Sequence, residues 1–170
     1  GFSFSVIKDK AHYVPLRYPE KVINNFGDDD EKIVLDALSK IFEDGSKLKT
    51  SHNFKFSSLI LKQHGIDING VYFDTGIAAH LLNPEAKSFS VDTLSIEFFG
   101  YEMIQATDLI GKGKNQIDML DVPYKKMAFY ASECSDVCFQ LTNVLIKKLE
   151  DYGLIFYFKT IEIPLIKVLT

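Results

Sequence analysis

Apolar and polar residues alternate through Phe2-Ser3-Phe4-Ser5-Val6-Ile7. Asp9 and Lys10 suit a tight turn, and Ala11-His12-Tyr13-Val14 resumes the extended pattern, so residues 1–16 predict a β-hairpin. After Asp28-Asp29-Asp30 the period changes. Ile33, Val34, Leu35, Leu38, Ile41 and Phe42 share one helical face, with carboxylates at the end where the helix dipole favours them and Gly45 at its close. A short strand is expected over 47–52. Phe56, Leu59, Ile60 and Leu61 mark a helix from Phe54 to His64, stopped at Gly65. Val71-Tyr72-Phe73-Asp74 reads as a strand, and the following Thr75 to Asn83 as a short helix closed by Pro84. Ser90 suits the N-cap of a helix running to Gly100, and residues 101–117 read as a polar loop.

From Val122 to Tyr152 the period stays helical for roughly eight turns at 3.6 residues per turn. Met127, Tyr130, Ala131, Cys134, Cys138, Leu141, Leu145 and Leu149 fall on related faces of this longest helix. Gly153 interrupts it, and the final Leu154 to Thr170 is apolar enough to require a partner surface. Strand-helix alternation after an opening hairpin predicts an α/β sandwich around a mixed sheet.

Composition narrows the class. A chain of 170 residues has the size of one domain, and a domain that long buries about two-thirds of its unfolded surface. Its 46% apolar and 25% charged residues exclude a disordered or fibrous protein. The longest apolar runs, such as Leu154 to Phe158, are far shorter than the ~20 residues of a membrane span, so no membrane partner is expected. The opening Gly1 to Lys10 lacks the basic start, apolar stretch and cleavage site of a signal peptide. It also lacks an initiator Met, so the chain reads as a fragment of something longer. Cys134 and Cys138 fit a reducing compartment better than a disulfide framework, and a cytoplasmic location is expected. The net charge of -4 does not announce a nucleic-acid binder, because non-specific DNA affinity comes mainly from Lys and Arg neutralising phosphates. A stand-alone single-strand DNA binder is further disfavoured by the lack of an interleaved aromatic and basic stretch.

Several segments carry a family likeness: HNFKF at 52–56 running into LILKQHGIDINGVYFDT at 59–75, HLLNPEAKSFSVDTLS at 80–95, GKGKNQ at 111–116 and YASECSDV at 130–137. In this order and spacing they resemble the 3'-5' exonuclease domain of bacterial family A DNA polymerases. KTIEIPLIKVL at 159–169 is similar to the segment that leads from that domain into the polymerase domain. The resemblance implies a ribonuclease H-like, DnaQ-type α/β fold, with a mixed five-stranded sheet, an antiparallel opening and helices on both faces. It places the exonuclease-like domain at 1–152 and the start of the polymerase domain at 153–170.

Active relatives hold two Mg²⁺-type cations by an Asp-x-Glu pair on the first strand, an Asp four residues after an Asn, and an Asp four residues after a Tyr. The chemistry explains the residue types. In-line attack on a phosphodiester builds negative charge, two hard cations about 4 Å apart stabilise the attacking and leaving oxygens, and hard cations take carboxylate oxygens. Here Asn53 is followed four residues later by Ser57, and Tyr130 by Cys134. The Asp-x-Glu strand would lie upstream of the first hairpin strand, so the first strand of the fold is expected to be missing from this chain. Asp29-Asp30-Glu31 matches the pattern locally but sits at a helix start, where it reads as capping.

The resemblance therefore implies a degenerate domain with no metal and no cofactor of its own. Neither nuclease nor polymerase activity is expected of the fragment. Its expected role is structural and DNA-positioning, in replication and repair, with DNA reached through the parent polymerase and a C-terminal polymerase domain as partner. A second reading stays open: an active metal-dependent proofreading exonuclease whose metals use Asp74 or Asp136. Asp74 itself has two readings, a strand-end hydrogen-bonding group or a residual metal site. A helical period turns Glu133 about 100° away from Cys134, so it does not substitute for the lost carboxylate. Cys134 and Cys138 stand at i, i+4, but none of His12, His52, His64 or His80 is in ligand spacing to them; buried apolar thiols are expected rather than zinc ligands. Tyr130 reads as a packed cleft tyrosine. Lys112 and Lys114 are candidate phosphate contacts, although GKGKNQ lacks the leading Gly and Lys-Ser/Thr pair of a Walker A loop, and a solvated loop is the plainer reading.

Overall fold

The computed structural model describes residues 1–16 and 28–170. Strands β1 (Phe2–Ile7) and β2 (Lys10–Val14) form the expected antiparallel hairpin, with Phe2 opposite Val14 and Ser5 opposite Ala11. Asp9 turns the chain at φ 64°, a left-handed value that Asp tolerates better than most side chains. Helix α1 (Asp28–Phe42) follows, and the Phe42 ring meets the Phe2 ring edge-on at 5.3 Å. Leu38, Phe42 and Ile66 form a small buried cluster there, with Phe2 and Leu61 packed against it. The side chains of Asp28 and Asp29, read as part of a cap, lie outside the described residues.

Strands β3 (Lys49–Ser51) and β4 (Val71–Asp74) pair in parallel, Ser51 beside Asp74, with helix α2 (Phe54–Lys62) in the crossover between them. Parallel neighbours need such a crossover, which an antiparallel turn does not supply. Gly70 is required just before β4. Its φ is 70°, and a Cβ there would lie 2.5 Å from the Lys47 carbonyl oxygen.

Helices α3 (Thr75–Leu82), α4 (Val91–Phe99) and α5 (Ala106–Ile110) lead to α6 (Tyr124–Asp151). At ~1.5 Å per residue α6 is about 40 Å long. Leu141, Leu145 and Leu149 are fully buried along it, in one core with Phe73, Ala78, Leu94 and Met103. After Gly153 the chain forms α7 (Ile155–Tyr157), a π-helical turn over Phe158–Glu162, and α8 (Ile163–Val168). Pro164 accounts for the wide turn: it has no N–H for the Thr160 carbonyl and its ring would crowd that oxygen, so the register slips in the preceding turn. Phe158 is fully buried, its ring centroid 4.7 Å from that of Phe73, so the last segment shares the main core.

Two expectations change. Among the described residues the strands make two separate two-stranded sheets, one antiparallel and one parallel, rather than one continuous sheet. Helix α6 packs against both and joins them. The 101–117 segment is not wholly loop, because Ala106–Ile110 folds into a helical turn closed by a capping box between Gln105 and Asp108. Among the described residues, no helix is long and apolar enough to cross a membrane.

Candidate functional site

The two motif segments lie on α2 and α6. Asn53 caps α2 with φ 69° and ψ 65°, and its Oδ1 accepts from the Phe56 N–H at 3.2 Å. Asn is among the few residue types that take this left-handed conformation readily. The Asn53 carbonyl accepts from the Ser57 N–H at 3.3 Å, and Ser57 Oγ lies 3.5 Å from Ser51 Oγ at the end of β3. The Ser57 hydroxyl therefore faces another hydroxyl.

On α6, Tyr130 and Cys134 stand one turn apart. Burial pushes the Cys134 thiol up to about 11, against the lowering effect of the Tyr130 hydroxyl, and the negative charges of Glu133 and Asp92 push it the same way as burial. Burial, followed by Cys134, raises the Tyr130 hydroxyl to about 12. Both groups are protonated at neutral pH. One turn on, burial raises the Cys138 thiol to about 12.

Beneath these positions lies a polar cluster that sequence reasoning did not assemble. His52 Nδ1 and Thr75 Oγ1 are 2.9 Å apart, and Cys138 Sγ is 3.8 Å from the same Thr75 oxygen. Burial lowers the His52 pKa, with Asp74 and then Asp92 opposing it. The signal was the adjacency of His52 to Asn53 and of Thr75 to Asp74, but their meeting depends on the parallel register of β3 and β4.

Asp74 is buried, and its carboxylate caps α3. Oδ1 accepts from the N–H groups of Gly76 at 2.9 Å and Ile77 at 3.0 Å, while Oδ2 accepts from the Phe54 N–H at 2.6 Å. One side chain thus fixes the starts of both α2 and α3. Asp136 faces elsewhere. Its Oδ1 accepts from the Asp9 N–H at 2.8 Å and its Oδ2 from Gln140 Nε2 at 2.7 Å, which ties the hairpin turn to α6. Glu133 accepts from the Tyr101 O–H at 2.6 Å and the Ile104 N–H at 3.0 Å. Asp74 and Asp136 are thus held by different partners, the one at the starts of α2 and α3 and the other at the hairpin turn.

Lys112 and Lys114 are exposed on the 111–116 loop, whose base is closed by the Ile117 N–H donating to the Ile110 carbonyl at 2.9 Å. Among the described residues, no group of three or more His, Cys, Asp or Glu side chains is placed to share a metal ion. The motif positions and their neighbours therefore offer hydroxyls, protonated thiols and a neutral imidazole.

Known proteins resemble this chain in sequence and in fold. Residues 19–129 match the family described as DNA polymerase I, ribonuclease H-like domain. DNA polymerase I of Pseudomonas aeruginosa is 32% identical over 99% of this chain, which spans 19% of that relative's length. A solved structure of the POL domain of Pol1 from M. smegmatis, in complex with DNA primer-template and dNTP, superposes with a TM-score of 0.62 over 85% of this chain and 21% of the other, at 21% identity. The apo form of a nuclease superposes with a TM-score of 0.57 over 71% of this chain and 55% of the other, at 18% identity.

Proposed function

The chain belongs to the ribonuclease H-like domain family of DNA polymerase I, and from that premise we propose that it is a degenerate exonuclease-like domain, one that supports and positions DNA for a polymerase without cleaving phosphodiesters. The observation that carries this reading is the pair Ser57 and Cys134. Both stand where active relatives place carboxylates, and both are neutral at pH 7: Ser57 faces the Ser51 hydroxyl, and the Cys134 thiol is held near 11.

A pair of Mg²⁺ ions does not fit this donor set. Hard cations need anionic oxygens, and a protonated thiol gives neither charge nor hard oxygen. Asp74 supports the same conclusion, because all three of its hydrogen bonds go to backbone amides that begin helices. Those amides take up about three of the four acceptor positions of the carboxylate, leaving little to offer a pair of cations.

The proposed partners are DNA and a polymerase domain, reached through a longer protein such as the relative of which this chain spans 19%. Exposed apolar residues on α2 and α8, among them Phe56, Leu59, Leu165 and Val168, give such a neighbour an apolar face to cover. Roles in replication and repair belong to that proposal. So does a cytoplasmic setting, which the two free cysteines suit.

The test is a nuclease assay on the protein that carries this chain, with end-labelled single-stranded DNA and Mg²⁺ or Mn²⁺. The oligonucleotide is expected to stay intact. Metal-dependent shortening that disappears on Asp74→Asn or Asp136→Asn would establish the competing reading, an active proofreading exonuclease.

A further inference from the structure

A groove of about 460 Å³ opens between the hairpin turn, the end of α4 and one face of α6. Asn53, Ser57 and Cys134 do not line it. Its walls are the rings of Phe99, Tyr101 and Phe129, which are 36%, 46% and 57% exposed. The carboxylates of Asp9, Glu133 and Asp136 line the same space, opposed by the single lysine Lys8.

These groups act in one electrostatic sense. The faces of aromatic rings are negative, so three rings beside three carboxylates attract a cation and repel a phosphate. The anionic edge is also held in place. Tyr101 and the Ile104 amide fix Glu133, while the Asp9 amide and Gln140 fix Asp136. An ionised carboxylate has about four acceptor positions, so both retain capacity for a further donor.

A planar guanidinium suits such a space better than an ammonium does, because it stacks on an aromatic face while its N–H fork meets a carboxylate. We propose that this groove docks an arginine-bearing segment of a partner protein. The nucleic-acid substrate of a polymerase is the wrong occupant, since its phosphates would meet the three carboxylates. This assignment is independent of whether the domain cleaves DNA.

Fluorescence anisotropy with a labelled peptide carrying two arginines on either side of a leucine tests it on the chain. Saturable binding is expected, weakened about tenfold when citrulline replaces arginine and about tenfold by Phe129→Ala. Asp9→Asn, which keeps a residue suited to the left-handed turn, is expected to weaken it about threefold. Circular dichroism of both variants checks that the fold is intact. No saturation by millimolar peptide, equal binding of the citrulline form, or variants that bind like the parent would each overturn the proposal. A labelled oligothymidylate whose affinity falls with Phe129→Ala would also overturn it, by assigning the groove to nucleic acid.

Discussion

The parallel pair β3–β4 and the hairpin β1–β2 both lean on α6, yet they meet it with different side chains. Behind β4 the contact is apolar and closed: Phe73, Leu141, Leu145 and Phe158 are all 0% exposed. The hairpin meets α6 through a Tyr13–Tyr124 ring contact and through polar groups. Ser135 Oγ donates to Ser3 Oγ at 2.7 Å, and Asp136 accepts from the Asp9 amide, while Val6 and Ile7 remain 66% and 56% exposed. Burying an apolar ring stabilises by a few kcal/mol, whereas a solvent-accessible hydrogen bond contributes about 1 kcal/mol because water competes for both partners. Cys134 sits on the apolar side, packed against that core.

The contrast can be broken from either side. Phe158→Ala empties the space against Phe73 and is expected to cost about 4 kcal/mol in urea denaturation; a loss below about 1 kcal/mol would mean that the last segment is not part of the core. Asp74→Asn comes next, at about 3 kcal/mol, because the new amide would set N–H groups against the Phe54 N–H at 2.6 Å or against those of Gly76 and Ile77. A silent substitution would remove the double-cap role. Asp136→Ala should cost only about 1 kcal/mol and should speed hydrogen exchange in Phe2–Val14 while leaving Val71–Asp74 protected. Equal acceleration in both sheets would erase the distinction between them.

The smallest effect concerns His52. Burial lowers its folded pKa below the unfolded value, so the neutral ring stabilises the fold above the unfolded pKa. That contribution is lost as pH falls below the unfolded value of about 6.5, because the unfolded chain takes up the proton first. Denaturation curves of the parent and of His52→Gln should converge in their pH dependence apart from this window. Identical slopes through it would show that His52 does not titrate with folding.

Much of the local structure was legible from period alone. The alternation of Phe2 to Ile7, the spacing of Leu141, Leu145 and Leu149, and the strand Val71–Asp74 each report a face that must be buried, and each element formed where its pattern lay. The polar 101–117 segment misled, because the short helix Ala106–Ile110 rests on one capping box and has no long apolar stripe. At the candidate site, the hydroxyl at Ser57 and the thiol at Cys134 were visible in the sequence, being a matter of residue identity. Their surroundings were not. That Asp74 would cap two helices, or that His52, Thr75 and Cys138 would converge, depends on groups 20, 23 and 63 residues apart in the chain.

The sequence by itself determined most of the segments that became helix and strand, the short helix Ala106–Ile110 aside, and which chemical groups stand at the motif positions, because periodicity and residue identity are local. Tertiary structure alone decided which groups meet. The parallel register of β3 and β4 sets Ser51 beside Asp74 and brings His52 to Thr75, and α6 collects two sheets that do not pair with each other. The physical reason is that burial and hydrogen-bond partnership belong to the space between elements, and the pKa shifts of Cys134, Cys138 and His52 follow from that space.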